Sequence, residues 1–357
     1  MQNRTGSKPH EDVHQKAGVR QPGSVLLTLC QREGVPEKIT RNNIWIVAMK
    51  VNRRQCLQLI AAGATLPKAE TTRSRKRLTI DTHLEVWTLN SKYPFRHPEP
   101  ERFRPPTMEA PIENQVAVME EFGIRYAVLI NPRYYGWDNS HIADCRARYP
   151  DRFVAHGLVN PLDPKNADQL EYWIRERGLS GMRLSPIYHP QQTWLNSPGN
   201  YPLWKKAATL GAVFNFYIAP HQMPQLEDMA KRFPRVKIVI DHMGKPDVSE
   251  PRPYPIFSKL LPLAKCSNVW VSASEPYEDS KTKEYPYRDT FPFLKMIYEH
   301  FGPEKMIWGT GYPRPRWELP MDLELQLVER EIPFYSERDR DLILGRNALK
   351  IWKFPKS

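Results

Sequence analysis

The chain reads as an α/β protein, a (β/α)8 TIM barrel preceded by a disordered or loosely attached N-terminal extension. Three observations predict this. From residue 78 onward, short apolar and β-branched runs alternate with amphipathic stretches, the pattern of parallel strands joined by crossover helices. Eight such runs can be counted, the number that closes a barrel. The 280 residues of 78–357 exceed the roughly 250 that such a barrel needs.

The elements follow in order. Residues 1–77 form the extension, because 1–48 hold neither a helical nor a strand period and mix Gly, Pro, Asn and charge in the manner of a segment without a core. A second start, Met49, opens a charged stretch with paired Arg53 and Arg54, followed by a short, weakly apolar run to residue 69. That segment, 49–69, is similar to a twin-arginine export signal, although Cys56 stands where a large apolar residue is commoner and no clean A-x-A site follows. The expectation is a natural start at Met49 and a periplasmic, exported product. The alternative is a short helix capping a barrel that stays in the cytoplasm.

The expected strands are Leu78–Leu84, Arg125–Asn131, Arg152–Asn160, Leu179–Pro186, Ala212–Ala219, Lys237–Gly244, Asn268–Glu275 and Lys305–Thr310. Helices are expected at Pro111–Phe122, Asn166–Arg177, Tyr201–Gly211, Pro224–Phe233 and Phe291–Phe301, several closed by a glycine that supplies a left-handed residue. Many of the 35 prolines fall in Pro94–Pro111 and Pro246–Pro255; such stretches continue neither helix nor central strand and are placed as loops over the strand ends. Periodicity alone leaves a doubly wound sheet open, but both folds put the active site at the C-terminal ends of the strands.

Composition narrows the function. The formal charge of +12 would invite nucleic acid, yet residues 1–77 carry 15 Lys and Arg against 5 Asp and Glu, and the other 280 carry 37 against 35. The barrel is nearly neutral and shows no basic, aromatic-interleaved stretch to follow a phosphate backbone, so no nucleic-acid partner is expected. A mean hydropathy of -0.61 and the lack of an 18-residue apolar run exclude a membrane-spanning helix. Cys30, Cys56, Cys145 and Cys266 form no CxxC pair and imply neither a zinc knuckle nor a disulfide framework. A small-molecule partner remains, with self-association into a homo-oligomer left open.

The densest chemistry lies in Ile80-Asp81-Thr82-His83-Leu84-Glu85. Alternation along a strand puts Asp81, His83 and Glu85 on one inward face, where three ionisable groups are costly to desolvate unless a metal, a proton or partner charges satisfy them. A hydrogen-bonded polar plug is the alternative. By the same alternation His242 points inward with Ile238 and Ile240, as a general acid or base titrating near neutral pH, while Asp241 faces the other way. Arg183, near the end of the fourth strand, offers a planar fork suited to a carboxylate or a developing oxyanion, or else a structural ion pair with Asp163 or Glu275. Arg133, Tyr134 and Tyr188 are placed as pocket walls or, equally, as ordinary loop residues, and the loop histidines His97, His189 and His221 as solvated.

These segments together resemble the amidohydrolase-related family, the group of aminocarboxymuconate-semialdehyde decarboxylase, pyrone-dicarboxylate hydrolase and sugar lactonases. The resemblance runs from about Leu78 to Trp352. It is carried by Asp81-Thr-His83-Leu-Glu85, Gly181-Met-Arg183-Leu, Ile240-Asp241-His242-Met-Gly244-Lys245-Pro246, Ile307-Trp308-Gly309-Thr310-Gly311-Tyr312-Pro313 and Gly345-Arg-Asn347-Ala348. It implies a hydrolase acting on a lactone or related carbonyl of a small oxygen-rich or carboxylated substrate, with His242 as general acid or base and Arg183 binding a carboxylate or carbonyl; the reading of the residues adds His83 and Glu85 as catalytic candidates and Asn215, Arg133 and Tyr188 as substrate-binding candidates. The chain departs from the family's metal-binding members, which use His-x-His on strand one, His on strand five and a water-activating Asp on strand eight. Here stand His83-x-Glu85, Asn215 and Gly311. Two cofactor states are therefore carried forward: one divalent ion, zinc by ligand type, held with Asp81, His83 and Glu85 and further candidates His242 or Glu275, or no metal, as in the pyrone-dicarboxylate subgroup. A metal-dependent decarboxylase and a catalytically silent binding barrel are the rival functions.

Overall fold

The computed structural model describes residues 77–355 except 98, 103, 190 and 314–318. The expected extension before Arg77, including the segment 49–69, lies outside the described residues. Eight parallel strands follow in chain order: β1 (Thr79–Glu85), β2 (Ile124–Ile130), β3 (Phe153–Leu158), β4 (Gly181–Leu184), β5 (Val213–Phe216), β6 (Lys237–Ile240), β7 (Val269–Ser272) and β8 (Met306–Ile307). The ring closes without a formal eighth pairing, because Thr82 N–H donates to Trp308 O, Gly311 N–H to His83 O and Glu85 N–H to Tyr312 O. All eight expected strands are present; β1 runs one residue past its expected end, to Glu85, and the other seven are cut back where the chain turns into a loop over the barrel mouth.

Crossover helices α1 (Ile112–Phe122), α2 (Ser140–Arg148), α3 (Asn166–Arg175), α4 (Tyr201–Leu210), α5 (Met223–Arg232) and α6 (Phe291–Phe301) surround the sheet. Helix α2 was not anticipated; its sequence SHIADCRAR is short and polar, and packing of Ile142, Ala143 and Cys145 makes it a helix. The β6–β7 crossover is a 3-10 stretch, Phe257–Lys265, whose Pro262 has no N–H for an α-helical ladder. Helix α1 ends at Gly123 with φ 69° and α4 at Gly211 with φ 68°, the left-handed closures that glycine permits. Among the described residues no helix is long and apolar enough to cross a membrane.

Two apolar layers hold the barrel. Ile80, Val128, Val154, Val213, Val239 and Ile307 cluster inside it with Trp352, whereas Leu84, Met182, Phe214, Phe216, Ile238 and Ile240 face the helices, together with Trp204 and Leu226. Each buried aliphatic or aromatic side chain of this kind contributes about 1.5–3 kcal/mol. The two layers correct two expectations about facing. Ile80 and Leu84 are an even number of residues apart yet lie in opposite layers, because β1 slips against β2 between Asp81 and Leu84. That extra residue breaks the alternation and separates Asp81 from His83 and Glu85. On β6, Ile238 and Ile240 face outward, so Asp241 points in; His242 reaches the interior because its own φ of 51° leaves the strand conformation.

Candidate active site

The strand ends place a polar cluster at the barrel mouth. His83, Glu85, Arg183, Asn215, Asp241 and His242 are all buried. Arg183 stands among them: its Nε donates to Asp241 Oδ2 at 3.0 Å, its Nη2 meets His242 Nε2 at 3.1 Å, and its Nη1 lies 3.6 Å from Glu85 Oε1. The sequence-based ion pairs with Asp163 or Glu275 are replaced by Asp241 and Glu85. Asn215 Nδ2 donates to the other Asp241 oxygen at 2.8 Å, so Asp241, which sequence alternation turned away, is the carboxylate that anchors Arg183.

A guanidinium only donates, so His242 Nε2 is the acceptor and Nδ1 carries the hydrogen. Nδ1 lies 3.1 Å from Ser274 Oγ and 3.3 Å from Glu275 Oε2. The arrangement leaves the Nε2 lone pair on the inner side of the site. Its ring centroid is 4.7 Å from that of His83 and 5.4 Å from that of Tyr217. Burial pushes the Tyr217 phenol up to about 12, which keeps it neutral beside the Arg183 guanidinium, 4.9 Å from its ring.

Asp81 is elsewhere. Its Oδ2 accepts from Thr310 Oγ1 at 2.7 Å, and its Oδ1 accepts from the N–H groups of Thr310 and His83 at 3.1 and 3.0 Å. It is a clasp across the β8–β1 seam and not one of the inward donors, which corrects its expected place among metal ligands. Burial raises its carboxyl to about 7 despite those three donors.

The donors that come together are His83, Asp241 and His242, whose ligand atoms all lie within 4.8 Å of one another. Both nitrogens of the buried His83 ring have no hydrogen-bond partner, an orphaning that an ion would relieve. Two imidazoles and a carboxylate with a fourth position open are the donor type and number of a catalytic zinc site. The residues therefore fit a divalent ion, but Arg183 draws on the same Asp241 and His242 acceptors. Glu85 is 3.8 Å from His83 Nε2 and outside this triplet.

A cavity with about 560 Å³ of empty space, counted out to solvent, opens over strands β2–β4 and includes Arg183, Arg133, His97, Trp137, His189 and Trp194 in its lining. Arg183 joins this cavity to the polar cluster. The Arg133 guanidinium carbon lies over the Tyr188 ring, 3.5 Å from its centroid, and Nη2 bonds His97 Nε2 at 3.2 Å. Burial and the neighbouring Arg183 charge bring its guanidinium down to about 10. His97, expected in solvent, is instead lowered by burial and by Arg133.

His156 was missed. It follows the inward Val154 by two residues on β3, an alternation legible in the sequence, and it accepts from Trp352 Nε1 at 2.8 Å below the site. Burial lowers it to about 3, so it is a neutral floor. A Cβ on Gly181 would fall 2.7 Å from its ring and 2.0 Å from Val213 O, which explains a glycine on a central strand. Cys145 and Cys266 are buried free thiols.

The amidohydrolase family model matches residues 80–354. The chain is 26% identical over 272 residues to 4-sulfomuconolactone hydrolase of Rhizobium radiobacter, covering 74% of this chain and 86% of that one. It is 25% identical over 266 residues to 2-pyrone-4,6-dicarboxylate hydrolase of Comamonas testosteroni, covering 70% and 81%. A crystal structure of a probable 2-pyrone-4,6-dicarboxylic acid hydrolase from Acinetobacter baumannii shares the fold, with a TM-score of 0.66 at 21% identity over 76% of this chain and 98% of that one.

Proposed function

The chain belongs to the amidohydrolase family, and from that premise we propose that it hydrolyses the lactone of a small, acidic, oxygen-rich substrate. The observation that carries the reading is the placement of Arg183 between the cavity and the buried bases Glu85 and His242. Two relatives matched over most of their length carry the names of lactone hydrolases whose substrates bear sulfonate or carboxylate groups. The paired guanidiniums of Arg183 and Arg133 suit such anions.

In this reading the substrate's acidic group docks on Arg133, with Tyr188 under the guanidinium, and its lactone carbonyl turns to Arg183. Developing negative charge draws Arg183 from His242, whose freed Nε2 lone pair takes a proton from the attacking water. Hydroxide adds to the carbonyl carbon, the ring C–O bond breaks, and the leaving oxygen recovers the proton from Nε2. Glu85, 3.6 Å from Arg183, steadies the guanidinium and is the second candidate base. Asn215 fixes Asp241 and hence the approach of Arg183. Should an ion bind, His83, Asp241 and His242 would hold it, zinc by donor type, and it would polarise the carbonyl and acidify water.

The test is turnover of 2-pyrone-4,6-dicarboxylate, 4-sulfomuconolactone and a neutral sugar lactone by purified protein. Ring opening is followed by absorbance and acid release, with Glu85→Gln, Arg183→Met and His242→Ala alongside. Faster turnover of the acidic lactones, with at least roughly 100-fold loss in the His242 and Arg183 variants, is expected. No turnover of any lactone, or activity indifferent to all three substitutions, overturns the reading.

The His83, Asp241 and His242 triplet favours a second reading, metal-assisted decarboxylation. It requires a stoichiometric ion lost in His83→Ala and carbon dioxide release in place of ring opening.

A further inference from the structure

Position 311 is a glycine with φ +68°, and a Cβ built there would lie 1.6 Å from Oε1 of Glu275, 2.5 Å from its Cδ and 3.1 Å from its Cγ. Two atoms cannot share 1.6 Å without a bond, so any side chain at 311 and the present carboxylate of Glu275 are alternative occupants of one volume. Glu275 reaches that volume from the end of β7 through a left-handed backbone, φ 54°, a conformation uncommon for a residue with a side chain and held only where surroundings enforce it. Its side chain is 3% exposed, and its Oε2 is 3.3 Å from His242 Nδ1.

We propose that Glu275 is the positioning carboxylate of this site, delivered from β7 into the space that Gly311 leaves open. The assignment rests on the hydrolytic role of His242 and deepens it. With Nε2 facing Arg183, Nδ1 must bear the hydrogen; its hydrogen-bond partner is Ser274 Oγ at 3.1 Å, and Glu275 Oε2 stands beside that bond in charge contact at 3.3 Å. When Nε2 takes the proton of water, the imidazolium gains a charge that the neighbouring carboxylate stabilises. The Nδ1 proton stays on nitrogen; Glu275 acts through His242 and exchanges no proton with substrate. Gly311 is then required by volume as well as by backbone, and the acid it lacks is present on the next strand.

A reciprocal relocation tests this. The left-handed backbone at 275 admits glycine, and Asp is among the residues that tolerate a left-handed position such as 311. Glu275→Gly is expected to lower kcat roughly 100-fold with little change in KM. Gly311→Asp is also expected to lower it, since two carboxylates compete for one volume, and the double variant Glu275→Gly with Gly311→Asp to recover at least roughly tenfold over either single one. Glu275→Gln, of equal size, controls for folding.

A second arm needs no substrate: nitrogen-15 NMR of histidine-labelled protein, with His242 assigned by its alanine variant. The wild type is expected to show the Nδ1–H tautomer that Arg183 imposes, with the Nδ1 nitrogen shift displaced in Glu275→Gly and returned toward the wild-type value in the double variant. A double variant no more active than the singles, or an Nδ1 shift indifferent to Glu275→Gly, overturns the proposal. If no lactone is turned over, the hydrolytic reading fails and the Nδ1 shift alone decides the contact.

Discussion

Removing the Asp81 carboxylate separates a structural clasp from a metal ligand. In Asp81→Ala three buried donors lose their acceptor: the N–H of His83 and the N–H and hydroxyl of Thr310, at 3.0, 3.1 and 2.7 Å. Thr310 is fully buried and His83 is 1% exposed, so water reaches neither without opening the seam. At about 1–3 kcal/mol for each unsatisfied buried group, the gross cost is about 3–9 kcal/mol. Burial holds the Asp81 carboxyl near 7, so deleting it also relieves a desolvation penalty, and a net loss of about 3–5 kcal/mol is expected against a typical total of about 5–15 kcal/mol. In Asp81→Asn the Oδ1 acceptor for both backbone N–H groups survives, and the loss shrinks to about 1–2 kcal/mol. Urea unfolding followed by circular dichroism and extrapolated linearly measures both. Zinc titration by calorimetry in parallel should find Asp81→Asn binding the ion as the wild type does. A loss under about 1 kcal/mol in the alanine variant, or metal binding abolished by the asparagine, would refute the clasp.

Two further outcomes follow from the same geometry. Arg183→Met should tighten zinc binding at least roughly tenfold by calorimetry, because a guanidinium beside Asp241 and His242 repels a dication and occupies its acceptors; unchanged or weaker binding would refute the shared-acceptor account. His156, lowered by burial to about 3, binds protons only in the unfolded chain between pH 6.5 and 3, so stability should fall as pH drops through that window. His156→Gln, which keeps an acceptor for Trp352 Nε1, should flatten the fall by about 3 kcal/mol between pH 6.5 and 4. An acid limb of unfolding unaltered by that substitution would show that the ring is not the titrating group.

What the sequence determined by itself is the architecture. Strand and helix periods depend on neighbours along the chain, so all eight strands and the five anticipated crossover helices were legible. So was the strip from His83 to Glu85 at a strand end, along with Arg183 on β4. Tertiary structure decided which of these groups meet. The slip of β1 against β2 and the left-handed turn at His242 each break the alternation, the first removing Asp81 from the site and the second turning His242 inward beside Asp241, which β6 itself aims at the interior. No local pattern announces either event, because a bulge is set by pairing with another strand and a left-handed residue by what packs against it. The same reason hid where Glu275 goes, which the sequence offers only as a metal ligand or a partner of Arg183: its carboxylate fills the volume that Gly311 leaves one strand away, and a missing side chain acquires chemistry only when the fold shows what fills its place.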